Sequence, residues 1–136
     1  MIALLIFAIS FLTLLQFFVS YSRSLIVEAQ QIELTEGTRT ICGITGRTLA
    51  GDQFRRLVHL IGLCPNPGGE SHKVRAIAAY FRMIEFIGIF LKWGMPSAIQ
   101  WINAERGGCA YAAAVLLDRR IAANRMMTLG QWNSQI

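Results

Sequence analysis

No charged side chain occurs in the opening stretch Met1 to Ser22, MIALLIFAISFLTLLQFFVSYS. Charge is scarce elsewhere too: 15% of the 136 residues are charged, while 54% are hydrophobic. Both fractions depart from those of an ordinary soluble domain. They imply a body that buries surface against a membrane or partner as well as against itself. Cysteine is limited to Cys42, Cys64 and Cys109. An odd, widely spaced set excludes a disulfide framework and fits reduced, buried thiols in a reducing compartment.

The groupings that chemistry requires are missing as well. No C-x-x-C or H-x-x-x-H pair occurs, so no two candidate metal ligands stand at standard spacing. His59 and Cys64 belong to different faces of a helix, and His59 and His72 read as solvated. No G-x-x-x-x-G-K-[ST] pattern occurs, which leaves Gly43 and Gly46 as turn glycines. Cys64 precedes Pro65 at a predicted helix C-terminus, where the dipole opposes a thiolate. Cys109 stands in an alanine-rich run and reads as structural. The eight acids are scattered, with no carboxylate pair for acid–base work. The apolar run carries no histidine of the kind a pigment-binding span ordinarily uses. No internal repeat or low-complexity segment is visible. The sequence therefore predicts no catalytic residue, no metal site and no cofactor.

What is present is, first, the apolar run. As a helix, Ile2 to Val19 spans roughly 27 Å, close to the hydrocarbon core of a bilayer at about 30 Å. No Lys or Arg precedes the run, and it exceeds the apolar core of a secretory signal. The expected element is a single transmembrane helix over residues 1–22, with cleavage near Ser20-Tyr21-Ser22 as the competing reading. Arg23, Arg39 and Arg47 follow the span, and the positive-inside tendency then places the body in the cytoplasm and Met1 outside. In a bacterium the membrane is the inner one.

Ser10, Thr13, Phe17, Ser20 and Ser24 fall along one side of that helix. Small and hydroxylated residues let helices approach closely in lipid, so this side reads as a partner-binding seam. The competing reading is that each hydroxyl bonds to its own helix, four residues back.

Residues 23–51 are expected to extend the helix to a stop near Gly37 and then form a Thr/Gly-rich loop. A helical bundle follows over 52–127. Asp52 is the expected cap of a helix with Phe54, Leu57, Val58 and Ile61 on one face, ended by Pro65 and Pro67. Ser71 is the expected cap of another helix, reaching about Trp93 with two apolar faces and an Arg82–Glu85 surface pair. Glu85, Lys92 and Pro96 argue against a second span there. Lys92, Trp93 and Trp101 are candidate membrane-interface residues, against the alternative that both tryptophans lie in the core. Pro96 opens a last helix to about Met127, with a weak point at Gly107-Gly108. Residues 128–136 are expected to be a frayed tail, with Trp132 as a docking anchor.

The resulting expectation is all-α: one N-terminal transmembrane helix and a small bundle of about three helices. Functionally, the chain reads as a non-enzymatic, single-pass accessory or scaffold subunit. Its partner would be a larger integral membrane protein or a second copy of itself. The competing class is a tethered binding module for anionic lipid or nucleic acid through Arg55, Arg56, Arg119 and Arg120. A net charge of +5 is modest for a phosphate binder, which disfavours nucleic acid.

Overall fold

The computed structural model describes residues 1–32, 39–40, 53–65 and 69–136. The Gly37 stop, Cys42, most of the Thr/Gly-rich segment and the Asp52 cap lie outside the described residues. Four long helices are laid out among the described residues: α1, Ile2–Gln30; α2, Gln53–Leu63; α3, Ser71–Leu91; and α4, Pro96–Ser134. The all-α expectation holds, with a long apolar N-terminal helix and three helices packed on one another.

α1 is one unbroken helix, so the apolar run and its extension form a single rod. Its two halves differ in surroundings. From Ile2 to Phe17 every residue is exposed, a free stem of roughly 24 Å at helical rise. From Phe18 onward one face packs into the bundle through Ser22, Ile26 and Ala29.

The cross-helix contacts fix the directions. Arg23 meets Glu105, Ile26 lies beside Gly108, and the Tyr111 hydroxyl donates to the Ile32 carbonyl. The numbering of α1 and α4 rises together, so these helices run parallel. α2 is also parallel to α4, because Arg120 donates to the Ile61 carbonyl and Asn124 to that of Pro65. α3 runs the other way: Glu70 faces Arg119, Tyr80 faces Glu105 and Gly88 faces Ile102. The turn between α3 and α4 therefore lies at the same end of the bundle as the free stem.

α4 is the central element. Gly108 to Leu117 is buried without interruption, because CAYAAAVLL lets neighbouring backbones close in on several sides. α4 does not break at Gly107-Gly108 and does not fray after Met127; it runs to Ser134. The glycines each cost about 1 kcal/mol of helix propensity, but close packing on α1 exploits the missing side chain. A Cβ on Gly108 would stand 3.1 Å from Ile26 Cγ2. Residues 128–136 are helical to Ser134 and wholly exposed.

α3 begins one residue earlier in role than expected. Glu70 holds the N-cap position and Ser71 is the first helical residue. An acid there complements the positive end of the helix dipole. It also reaches Lys73 at 3.5 Å and Arg119 at 3.9 Å. Phe54 of α2 stacks on Phe81 of α3, with ring centroids 4.1 Å apart. Leu57 and Ile61 complete the buried face of α2 as its periodicity predicts.

Candidate functional site

The stem is a helix long and apolar enough to cross a membrane, with none of its most apolar window buried in the protein. A membrane anchor and a signal sequence both have this character. Ser10, Thr13, Phe17, Ser20 and Ser24 are all exposed. At about 100° per residue, they lie roughly opposite the bundle-facing side formed by Ser22, Ile26 and Ala29. The chain's own body thus leaves this side open. The Thr13 hydroxyl donates to the Ile9 carbonyl at 2.9 Å, so within the chain that group is satisfied along its own helix.

The second exposed apolar region is the tip of the α3–α4 hairpin. Phe86, Ile89, Phe90, Met95 and Ile99 are exposed there, and Trp93 is 93% exposed. Trp101 is exposed at 44%. The core alternative for Trp93 and Trp101 therefore fails. Trp93 stands in the turn beyond α3, and Trp101 is on α4 beside the inward-facing Ile102. Lys92 is the only charged residue between Glu85 and Glu105. Next to the tip, α3 and α4 border a groove of about 470 Å³ with Gly88, Ile89, Ile99 and Ile102 as its apolar wall. Arg55, Lys92, Arg106 and Glu85 supply its charged lining.

Where the stem meets the body, two acids each gather partners. Glu105, with its side chain 13% exposed, faces Arg23 at 3.5 Å and accepts from the Tyr80 hydroxyl at 3.2 Å. Burial, then the Glu105 charge, pushes Tyr80 up to about 12. Glu85 faces Arg55 at 3.4 Å and Arg106 at 3.6 Å, rather than pairing with Arg82. The Arg106 guanidinium also lies 5.6 Å from the Phe81 ring centroid, a cation–π arrangement.

The four candidate anion-binding arginines do not form one surface. Arg55 and Arg56 are exposed near the stem end of α2. Arg119 lies at the other end of the bundle, beside Glu70. Arg120 is only 7% exposed and donates at 2.6 Å to the Ile61 carbonyl. It caps the C-terminal turn of α2, where a cation complements the helix dipole, so Arg120 is removed from any anion-binding surface.

Cys109 is fully buried in α4, and burial, then the Glu105 charge, pushes its thiol up to about 12. At neutral pH it is a protonated thiol and a poor nucleophile. His59 and His72 are exposed, and His72 Nδ1 lies 3.2 Å from the Gly69 carbonyl. Among the described residues, no group of three His, Cys, Asp or Glu side chains stands close enough to hold a metal ion.

Gly108 reads in the sequence only as part of a weak point in the helix, while Glu105 and Arg106 are not singled out there. Their one visible signal was an acid–base pair entering an otherwise uncharged helical stretch. Comparison with protein-family models, with curated proteins and with solved structures finds no match to this chain.

Proposed function

We propose that the chain is a single-pass membrane subunit without enzymatic activity, which associates through its stem with another membrane helix. The carrying observation is the orientation of α1. From Phe18 onward it spends one face on its own bundle and leaves the opposite side, with Ser20 and Ser24, open; Ser10, Thr13 and Phe17 continue that side along a stem that is exposed all round. In lipid, apolar area alone drives little helix association, so small residues and hydroxyls are what make such a face adhesive. The body then sits on the cytoplasmic side by the positive-inside tendency of Arg23 and the arginines beyond it. The partner is a larger integral membrane protein or a second copy of the chain.

Photo-crosslinking in native membranes tests this reading. A photoreactive residue at Thr13 or Phe17 should give one discrete adduct, with another membrane protein or with a second copy. The same group at Leu15, on the opposite side of the stem, should give much less. Equal yields at all three positions, or lipid adducts alone, would count against a protein-facing seam.

A further inference from the structure

The chain directions and helical rise place the hairpin tip against the stem at a definite height. Arg23 and Glu105 touch and serve as a common level. Counting back along α1, Val19 is about 6 Å from that level and Leu14 about 13 Å. Counting back along the parallel helix α4, Ile99 is about 9 Å from it and Pro96 about 13 Å. The turn carrying Trp93 and Met95 therefore lies level with about Leu14, and Pro96 to Ile99 lie level with Leu14 to Phe17, within the apolar run. If Ile2–Val19 occupies the hydrocarbon, the tip enters it by roughly 7 Å, within the depth typical of interfacial elements, about 5–10 Å.

The side chains at each height match that placement. The part of the tip level with the stem is the part rich in exposed Ile89, Phe90, Trp93, Met95 and Ile99. Its one charge, Lys92, is a cation on a long stem that can reach phosphates from just inside the boundary. Arg23, Arg55 and Arg106 lie at the level of Glu105 and Glu85, the height of the headgroups. Ile2 to Val19 as a whole comes to roughly 27 Å, close to one hydrocarbon thickness of about 30 Å.

We propose that the α3–α4 hairpin tip is a second membrane contact, inserted into the interfacial layer of the leaflet from which the stem emerges. Its occupant is the lipid bilayer itself. The body is then held against the membrane at two points rather than swinging from one, and its orientation is fixed. This rests on reading α1 as a membrane span.

The test uses the full chain in phosphatidylcholine–phosphatidylglycerol vesicles. Trp93 is left as the sole tryptophan by Trp101→Phe and Trp132→Phe; a second variant keeps only Trp132, at the far end of α4. Lipids carrying a nitroxide near the headgroup should quench most Trp93 emission and little of Trp132. Aqueous iodide should show the reverse. Resistance to alkaline carbonate extraction reports the stem separately. If the protein resists extraction while Trp93 stays iodide-accessible and unquenched by lipid, the tip proposal fails and the anchor reading stands. If carbonate releases the protein, both fail. Should the double variants fold poorly by circular dichroism, the same comparison is made between the unaltered chain and Trp93→Phe. There the loss of lipid-quenched emission on removing Trp93 is the supporting result, and its persistence overturns the proposal.

Discussion

Gly108 sets how closely α1 can approach α4, and its replacement by alanine separates two opposing effects of known size. In an ordinary exposed helical position, Gly→Ala stabilises by about 1 kcal/mol, because alanine restricts the unfolded chain and favours the helix. At Gly108 the new Cβ would stand 3.1 Å from Ile26 Cγ2 and 3.3 Å from Gln30 Nε2. Gln30 is exposed and its amide can swing away. Ile26 is 4% exposed, and a β-branched side chain in a helix has essentially one rotamer, so its Cγ2 cannot rotate out of reach. The relief must come from moving α1 by a few tenths of an ångström. Overpacking of this kind costs about 1–3 kcal/mol. The net expectation for Gly108→Ala is a loss of about 1 kcal/mol. Gly108→Leu should detach the C-terminal half of α1, from Phe18 onward, from the bundle.

The assay is denaturant unfolding of the full chain in mild detergent, combined with amide hydrogen exchange over residues 22–32. Gly62→Ala is the control, since Gly62 lies in α2 with nothing within 4 Å of its would-be Cβ. It should stabilise by up to about 1 kcal/mol. Exchange in Gly108→Ala should quicken first in residues 22–32, while the α2–α3 contact around Phe54 and Phe81 stays protected. If Gly108→Ala stabilises as much as Gly62→Ala, the close approach of α1 to α4 is not as described. The geometry that sets the tip beside the stem would then lose its support.

Two further outcomes follow from the buried polar groups. Arg120→Met should destabilise by about 1–3 kcal/mol, because the Ile61 carbonyl loses a charged donor at a helix end; unfolding midpoints and faster exchange at the end of α2 check this. Stability should also fall on the alkaline side: Cys109 and Tyr80, at 9.0 and 10.0 when unperturbed, both rise to about 12 in the folded chain. The folded state thus holds these protons more tightly, so stability is full below about pH 9 and is lost as pH rises toward 12. Cys109→Ala with Tyr80→Phe should flatten that fall, and an unchanged alkaline profile would refute the assignment.

The helices were legible where periodicity was strong and uninterrupted. Phe54, Leu57 and Ile61 recur at helical spacing and are buried together, so α2 could be read directly. The path of α4 was less legible because two local signals were outvoted by packing. Gly107-Gly108 reads as a break when neighbours are unknown, and only the position of Ile26 reveals why glycine is used there. Tryptophan placement was ambiguous for a related reason. A large amphipathic ring suits either a core or an interface, and the exposure of Trp93 depends on how far the hairpin extends past the buried core. The arginine pairs were misleading in a different way. Adjacent arginines look like one patch in sequence, but successive residues on a helix point about 100° apart. Arg119 therefore stays near the surface while Arg120 turns inward to cap α2.

The charges gathered at the stem end explain why so uncharged a chain retains these few. Arg23, Arg55, Arg106, Glu85 and Glu105 come from all four helices and meet where the stem leaves the bundle. Individually such pairs contribute little, since exposed ion pairs are worth about 0–1 kcal/mol. Their effect lies in direction. The Arg23–Glu105 contact adds to the packing of Ser22, Ile26 and Ala29, which holds α1 at one rotation about its axis. That same rotation aims Ser20 and Ser24 outward and Ser22 inward, 0% exposed. Glu105 also binds Tyr80, so the rotation of α1 is tied to the α3–α4 hairpin whose tip stands beside the stem. The outward seam and the height of the tip are therefore not independent features. Both depend on one junction, and a change that turns α1 there must displace the two together.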